Sequence, residues 1–306
     1  MRSRDVDHAR LRAFALAAVV LTFLLIAVGG LVRATGSGEG CTGWPKCAAS
    51  RWLPPFAYHA IIEYSHRMTA FLDVVLVGAL AVIAWRGYRD VPRIVRPALA
   101  ATGLIVVQAV LGGIVVKGAL APLLVTAHFA TAMILAAVLV ALAVWAFALD
   151  AAPRHEPDDF TTFARVVAAG TFGLLLVGSY VRGKNAGLVF GTWPLMNGRL
   201  VPSLSSTPAA LEFAHRALAL MVGIGVGVLA ARSWAGRRDL GSAATLAMVA
   251  AALYLLQVMI GATLVWSGRA EPAIVAHVLV SSLVWGSLVA TAVAAGVTAR
   301  RREPVP

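Results

Sequence analysis

Four of the seven histidines, His66, His128, His215 and His277, fall inside strongly apolar stretches of the chain. An ionisable side chain there is costly, and in membrane segments it usually faces a bundle interior and marks a functional site. The four make two sets, because adding 149 to His66 gives His215 and adding 149 to His128 gives His277. One membrane histidine alone reads as an interhelical hydrogen-bonding group. Two pairs at matched depth read instead as axial ligands of a heme iron, or of a metal ion, across the interior of a helical bundle. Zinc fits poorly, since neighbouring cysteines and carboxylates do not complete a four-ligand set in both halves. Heme needs only two axial nitrogens, and the many Gly and Ala residues leave room for a flat macrocycle. His8, His59 and His155 fall at interfaces or in loops and read as solvated.

The offset of 149 carries further polar landmarks: Arg33 to Arg182, Trp44-Pro45 to Trp193-Pro194, Glu63 to Glu212, Arg67 to Arg216, Gln108 to Gln257 and Gly112 to Gly261. Glu63 precedes His66 by three residues, on an adjoining part of one helix face. It can orient the imidazole, pair with Arg67 or Arg33, or act as a base beside a bound heme; Glu212 repeats the spacing. Arg33, Arg67, Arg182 and Arg216 lie near one membrane boundary, where guanidinium groups can pair with heme propionates or snorkel to lipid headgroups. Gln108 and Gln257, with a glycine one turn on, read as marks of tight packing in the third and seventh spans. The two cysteines, Cys41 and Cys47, share one loop whose five intervening residues include Gly and Pro. That loop can close to the roughly 5.5 Å a disulfide needs, with a pair of inert thiols as the alternative. Phe190 and Met196 stand at the equivalent positions of the second half, so a bridge is not part of the repeated machinery.

The elements that must position these residues follow from composition. With 60% hydrophobic and 13% charged residues, the chain lacks the roughly one quarter of charge that a soluble surface carries. Windows of about 20 residues give eight apolar stretches, 13–32, 59–85, 98–116, 122–149, 163–181, 209–231, 242–266 and 272–296. The first ends in Gly29-Gly30-Leu31-Val32-Arg33 without a small-residue cleavage site, and so reads as a retained helix rather than a signal peptide. The expected fold is an all-α membrane protein of eight transmembrane helices, arranged as two parallel four-helix bundles, 1–150 and 151–306, related by internal repeat. The linker is the polar stretch Asp150 to Asp159. Sixteen of the 26 basic residues fall on one side of the spans and eight on the other. This places both termini in the cytoplasm of a cell-membrane protein and the histidines about 8–10 Å below the outer boundary. The net charge of +12 then reflects topology and contact with anionic membrane lipid; no basic soluble domain points to nucleic acid.

Gly29-Gly30-Leu31-Val32-Arg33-Ala34-Thr35-Gly36-Ser37-Gly38, a loop with Cys, Trp-Pro and Cys, and Glu63-Tyr64-Ser65-His66-Arg67 together resemble the heme A synthase family, over all eight spans. The resemblance implies conversion of the C8 methyl of heme O to the formyl of heme A for assembly of terminal oxidases. It implies that His66 and His128 ligate the substrate heme, that His215 and His277 hold a heme b cofactor, that Glu63 is essential to the chemistry, and that Cys41 and Cys47 are the loop pair. The expected course is two hydroxylations of the methyl carbon, with oxygen from water, through a gem-diol that loses water. A heme O synthase and oxidase assembly factors become candidate partners, and a homo-oligomer is compatible with it. The chain departs from the family at Thr42-Gly43, where Pro and an acidic or polar residue are frequent, and in lacking cysteines in its second loop. Two other classes compete on the residues alone. A bis-histidine diheme b-type cytochrome would place its hemes near opposite faces, whereas these histidines sit near one. A transporter would carry broken helices or midplane charge, whereas the spans here read as unbroken apolar runs.

Overall fold

The computed structural model describes residues 2–48, 50, 52–153 and 158–298. It contains the eight expected long helices: α1 (Arg2–Ala34), α2 (Tyr58–Gly87), α3 (Pro92–Lys117), α4 (Pro122–Phe147), α5 (Asp159–Gly183), α6 (Thr207–Ala235), α8 (Ser242–Trp266) and α9 (Glu271–Ala295). All eight are long and apolar enough to cross a bilayer, as the absence of water there requires of backbone that must satisfy itself. The chain is therefore an all-α, multi-pass membrane protein.

Helix ends follow local chemistry. Proline occupies the first or second position of α3, α4, α6 and α9, where its missing N–H has no intrahelical partner to lose. Asp158 caps α5 by accepting from the Thr161 N–H at 2.8 Å, and Ser206 caps α6 by accepting from Ala209 at 3.4 Å. The apolar windows understate α1, which begins at Arg2, because its polar first turns fail a hydropathy criterion while still forming helix. Four short elements had no apolar signature: a 3-10 turn (Ser37–Glu39), α7 (Arg237–Leu240), and a pair of strands, β1 (Ala152–Pro153) and β2 (Val297–Thr298), which ties the linker to the segment after α9. His155 and the linker's Pro157 lie outside the described residues.

Helices α1, α4, α5 and α9 occupy the middle. α1 packs on α2, α4 and α9, and α5 on α4, α6 and α9, while α3 lies between α2 and α4 and α8 between α6 and α9. Phe23, Ile26, Met133, Leu175 and Trp285 interlock at this centre. Small residues permit the approach: a Cβ on Gly286 would come within 2.6 Å of the Phe23 ring, so α1 and α9 pack closely only with glycine there. The Trp285 indole N–H donates to the Ala168 carbonyl at 2.9 Å, fastening α9 to α5.

One expectation fails here. The second span is not an unbroken apolar run, for Asp73 sits at the middle of α2, fully buried, and accepts from the Thr22 hydroxyl of α1 at 3.0 and 3.2 Å. A single carboxyl barely lowers the mean hydropathy of a 30-residue helix, and the repeat puts Val222 at the matching place. A hydrogen-bonded partner is what makes such a group tolerable in the interior.

Candidate functional site

All four intramembrane histidines point inward near the face that carries the two long loops, 35–57 and 184–206. His66 and His215 are eight residues beyond the first residues of α2 and α6, and His128 and His277 six beyond those of α4 and α9. They thus lie about 9–12 Å along their helices, slightly deeper for the first pair than the apolar windows suggest, because α2 and α6 start earlier. His66 and His128 are close enough for their charges to interact, and so are His215 and His277.

Each imidazole rests on a glycine of the neighbouring helix. A Cβ would approach the histidine Cε1 to 3.2 Å at Gly29 (His66), 3.3 Å at Gly112 (His128), 2.9 Å at Gly178 (His215) and 3.5 Å at Gly261 (His277). A side chain is thus excluded on α5 at Gly178 and would be tight on α1 and α3 at Gly29 and Gly112, whereas at Gly261 of α8 it would make ordinary contact. The role of Gly29 and Gly178 was not apparent from sequence, although their separation of 149 was available as a signal. Replacing Gly178 with alanine is expected to push the His215 ring aside, because 2.9 Å is inside van der Waals contact. Purified Gly178→Ala protein should then bind markedly less heme, measured as heme per chain, whereas Gly173→Ala, where a Cβ meets nothing within 4 Å, should bind as the parent does.

The hydrogen bonding sets His66 and His215 apart from histidines that merely tie helices together, whereas His128 Nε2 lies 3.4 Å from the Gln108 amide and His277 Nδ1 is paired with Gln257. Nδ1 of His66, His128 and His215 is buried with no hydrogen-bond partner, and buried polar atoms are rarely left so in finished protein structure. The residues therefore fit a flat, ligated group that takes imidazole nitrogens. Gln108 and Gln257 do more than mark packing. Gln108 donates to the His128 carbonyl at 3.0 Å and accepts from Thr131 at 2.7 Å; Gln257 donates to the His277 carbonyl at 3.1 Å and lies 2.9 Å from its Nδ1. Among the described residues no cluster of three His, Cys, Asp or Glu side chains could hold a metal ion unaided. A cavity of about 700 Å³ lies elsewhere, lined by Leu16, Phe23, Val140, Asp239 and Ala290 and by none of these histidines.

Glu63 and Glu212 are both buried and do the same local work. Glu63 is held by the Arg67 guanidinium at 2.5 Å and accepts from the Cys41 N–H at 2.7 Å. Glu212 is held by Arg216 at 2.5 Å and accepts from the Val189 and Phe190 N–H groups at 2.7 and 3.1 Å. Each arginine then reaches loop carbonyls: Arg67 those of Gly43 and Lys46 at 2.8 and 3.2 Å, Arg216 those of Thr192 and Phe190 at 2.8 and 3.0 Å. Of the partners weighed for Glu63, Arg67 is the one it takes, and its hydrogen bonds go to the loop rather than to His66. Charge-assisted contacts of this kind are about twice as strong as neutral ones, so both loops are clamped over the histidines. The first loop is also closed by a disulfide between Cys41 and Cys47, with Cα atoms 4.5 Å apart. Both loops contain a cis Trp–Pro bond, at Trp44-Pro45 and Trp193-Pro194.

Arg33 and Arg182 end α1 and α5, and the Arg182 guanidinium donates to the Arg33 carbonyl at 3.4 Å. The two histidines left to solvent make contacts of their own: His59 is exposed but lies 2.9 Å from the Ser37 hydroxyl, and the half-buried His8 ring stacks obliquely near Tyr88 at 5.8 Å.

Fold and site together define a multi-pass helical membrane protein with two pairs of half-buried, inward-facing histidines beneath clamped loops. The sequence model of the cytochrome oxidase assembly protein family matches residues 12–289. Proteins named heme A synthase are similar along most of their length. That of Caulobacter vibrioides is 30% identical, over 95% of this chain and 95% of its own. That of Symbiobacterium thermophilum is 31% identical over 79% and 82%, and that of Alkalihalophilus pseudofirmus 28% over 92% and 96%. The chain belongs to this heme A synthase family.

Proposed function

We propose that the protein oxidises the C8 methyl of heme O to the formyl of heme A, with the substrate bound in the N-terminal half and a heme b cofactor in the C-terminal half. The observation that carries this reading is the pair of imidazoles in each half, every ring on its own glycine and three of them with an orphaned buried nitrogen. Family membership supplies the reaction.

In this reading the chain is two parallel four-helix units, 1–150 and 151–306, descended from one repeated unit. Equivalent hydrogen bonds at Glu63 and Glu212, and equivalent glycines beneath all four histidines, support it. His66 and His128 hold the substrate's iron and so fix the methyl carbon in place; His215 and His277 hold heme b. Bound there, heme b would supply a one-electron carrier. Each of the two hydroxylations takes its oxygen from water and releases two electrons, which an external oxidant must accept, and two protons, for which Glu63 is the first acceptor at its carboxylate. Arg67 and the Cys41 N–H keep that carboxylate oriented, and the clamped loop keeps bulk water away. Arg33 and Arg182 pair with propionates, while Arg67 and Arg216 hold the loops. Orientation follows the basic-residue count, with both termini cytoplasmic in the cell membrane and the loops outside. A heme O synthase delivering substrate, oxidase assembly factors receiving product, and self-association are the partnerships this role calls for.

Expression in a host that makes heme O but no heme A tests the reading: heme A should appear in its membranes. Persistence of heme O alone, with the protein present and folded, would refute it. Orientation is tested separately with accessible tags. Those at Ser50 and Ser203 should label from outside and those near Arg89 and Arg237 only after the membrane is opened; labelling of Ser50 from the cytoplasm alone would reverse the topology.

A further inference from the structure

Three guanidinium groups gather at the face of the long loops, and among the described residues none of them forms an ion pair with a carboxylate. Arg33 and Arg269 both act electrostatically on Arg182, Arg182 Nε and Arg269 Nη1 are buried without an acceptor, and Arg269 lies in the turn between α8 and α9. Like charges in a poorly hydrated place repel one another. Arg182 donates to Asn185 Oδ1 at 3.2 Å and to the Arg33 carbonyl at 3.4 Å, so what is left unmet is its Nε and Arg269 Nη1, which an anion would satisfy.

Position says which anion. Arg182 follows Gly178, the glycine under His215, by one helical turn, and Arg269 stands just before α9, which carries His277. Both cations therefore sit roughly 6–12 Å above the C-terminal imidazoles, a span comparable to that between a porphyrin's iron and its carboxylates. The N-terminal half builds the same turn with a different side chain. Ala119 and Leu120 have φ of 49° and 56°, and Gly268 and Arg269 have 62° and 70°. The Leu120 N–H donates to Val115 at 3.0 Å and the Arg269 N–H to Leu264 at 2.9 Å. Leu120 packs against Gly38. The backbone being alike, the half-buried Arg269 takes the place of Leu120, while the exposed Lys117 of the first half gives way to Trp266 in the second.

We propose that Arg182 and Arg269 form a dicationic clamp on the carboxylates of the porphyrin held at His215 and His277, and that Leu120 leaves the N-terminal half Arg33 as its one guanidinium at the matching positions. The clamp retains the cofactor, while the half without it lets substrate and product exchange. Guanidinium suits the task because its planar fork matches a carboxylate and never loses its charge. This inference rests on the cofactor assignment above.

The test is the rate at which heme b leaves purified, detergent-solubilised protein for an excess of apomyoglobin. Arg269→Leu should speed release about tenfold or more, the scale of one charge-assisted hydrogen bond, with Arg269→Lys in between. Arg199→Leu, which removes the same charge from an exposed loop position, should leave it unchanged. Unchanged release from both Arg269 variants would overturn the clamp. So would loss of co-purifying anionic phospholipid with heme release unaltered, which would assign the arginines to a lipid headgroup. If Arg269→Leu does not fold, the Arg269→Lys rate decides alone. Should His215→Ala keep its heme b, the cofactor assignment itself fails; should it lose heme b while both Arg269 variants release at the parental rate, only the clamp fails.

Discussion

Alanine at His215 or at His277 is expected to strip the low-spin b-type absorption from the purified protein, leaving little of the heme b signal in either variant. In the proposed reading each imidazole would be a ligand of the heme, and Nδ1 of His215 is buried with no hydrogen-bond partner in the protein. Neither change should unfold the chain, since α6 and α9 are held elsewhere, at Val226 and Leu229 and at Val284 and Leu288. Absorption spectra of protein matched for expression provide the check. An intact spectrum in both variants would mean that the C-terminal pair is structural and that the heme lies at another place.

The second large effect is expected at Glu63. Glu63→Gln keeps the shape and one acceptor for the Cys41 N–H, but it cannot take up a proton at neutral pH. Heme A formation should fall by at least about a hundredfold, the lower scale for loss of general-base catalysis, while heme b stays bound and heme O accumulates. Glu212→Gln removes a carboxylate held by the equivalent arginine, Arg216, with the same kind of loop contact, so it reports what clamping alone is worth. It should be much milder. Equal loss of activity in the two variants, with loss of heme b, would show that both glutamates only hold their loops, and the base assignment would be withdrawn.

How much of the molecule was readable from sequence depends on what kind of signal each feature leaves. The eight spans were, because apolar runs of this length are rare outside a bilayer, and the histidine pairs were, because the offset of 149 repeats them. Asp73 was overlooked because one carboxyl hardly changes a window average, and because Val222 at the matching position hides it from a search for repeated polar residues. Arg269 escaped for the same reason, its counterpart being Leu120. The partners of Glu63 and Glu212 could not be chosen in advance, since a loop N–H and an imidazole on the same helix are both within reach of a carboxylate. Folding settled the matter by bringing residues 41–47 back over α2, where a Cβ on Gly40 would lie 2.4 Å from the His59 backbone. The glycines under the imidazoles were visible as letters, but glycine is common in membrane helices, and only geometry distinguishes Gly29 and Gly178 from Gly78 or Gly173, which face open space.

The central claim is that one half holds heme b while the other transforms a different heme, and it is tested most directly by extracting the pigments that co-purify with the protein and identifying them by mass. Heme b together with heme O or heme A, in comparable amounts, is the result expected of two unlike sites. Two equivalents of heme b per chain, with neither heme O nor heme A even when the host supplies heme O, would instead describe a diheme electron-transfer cytochrome and contradict the account.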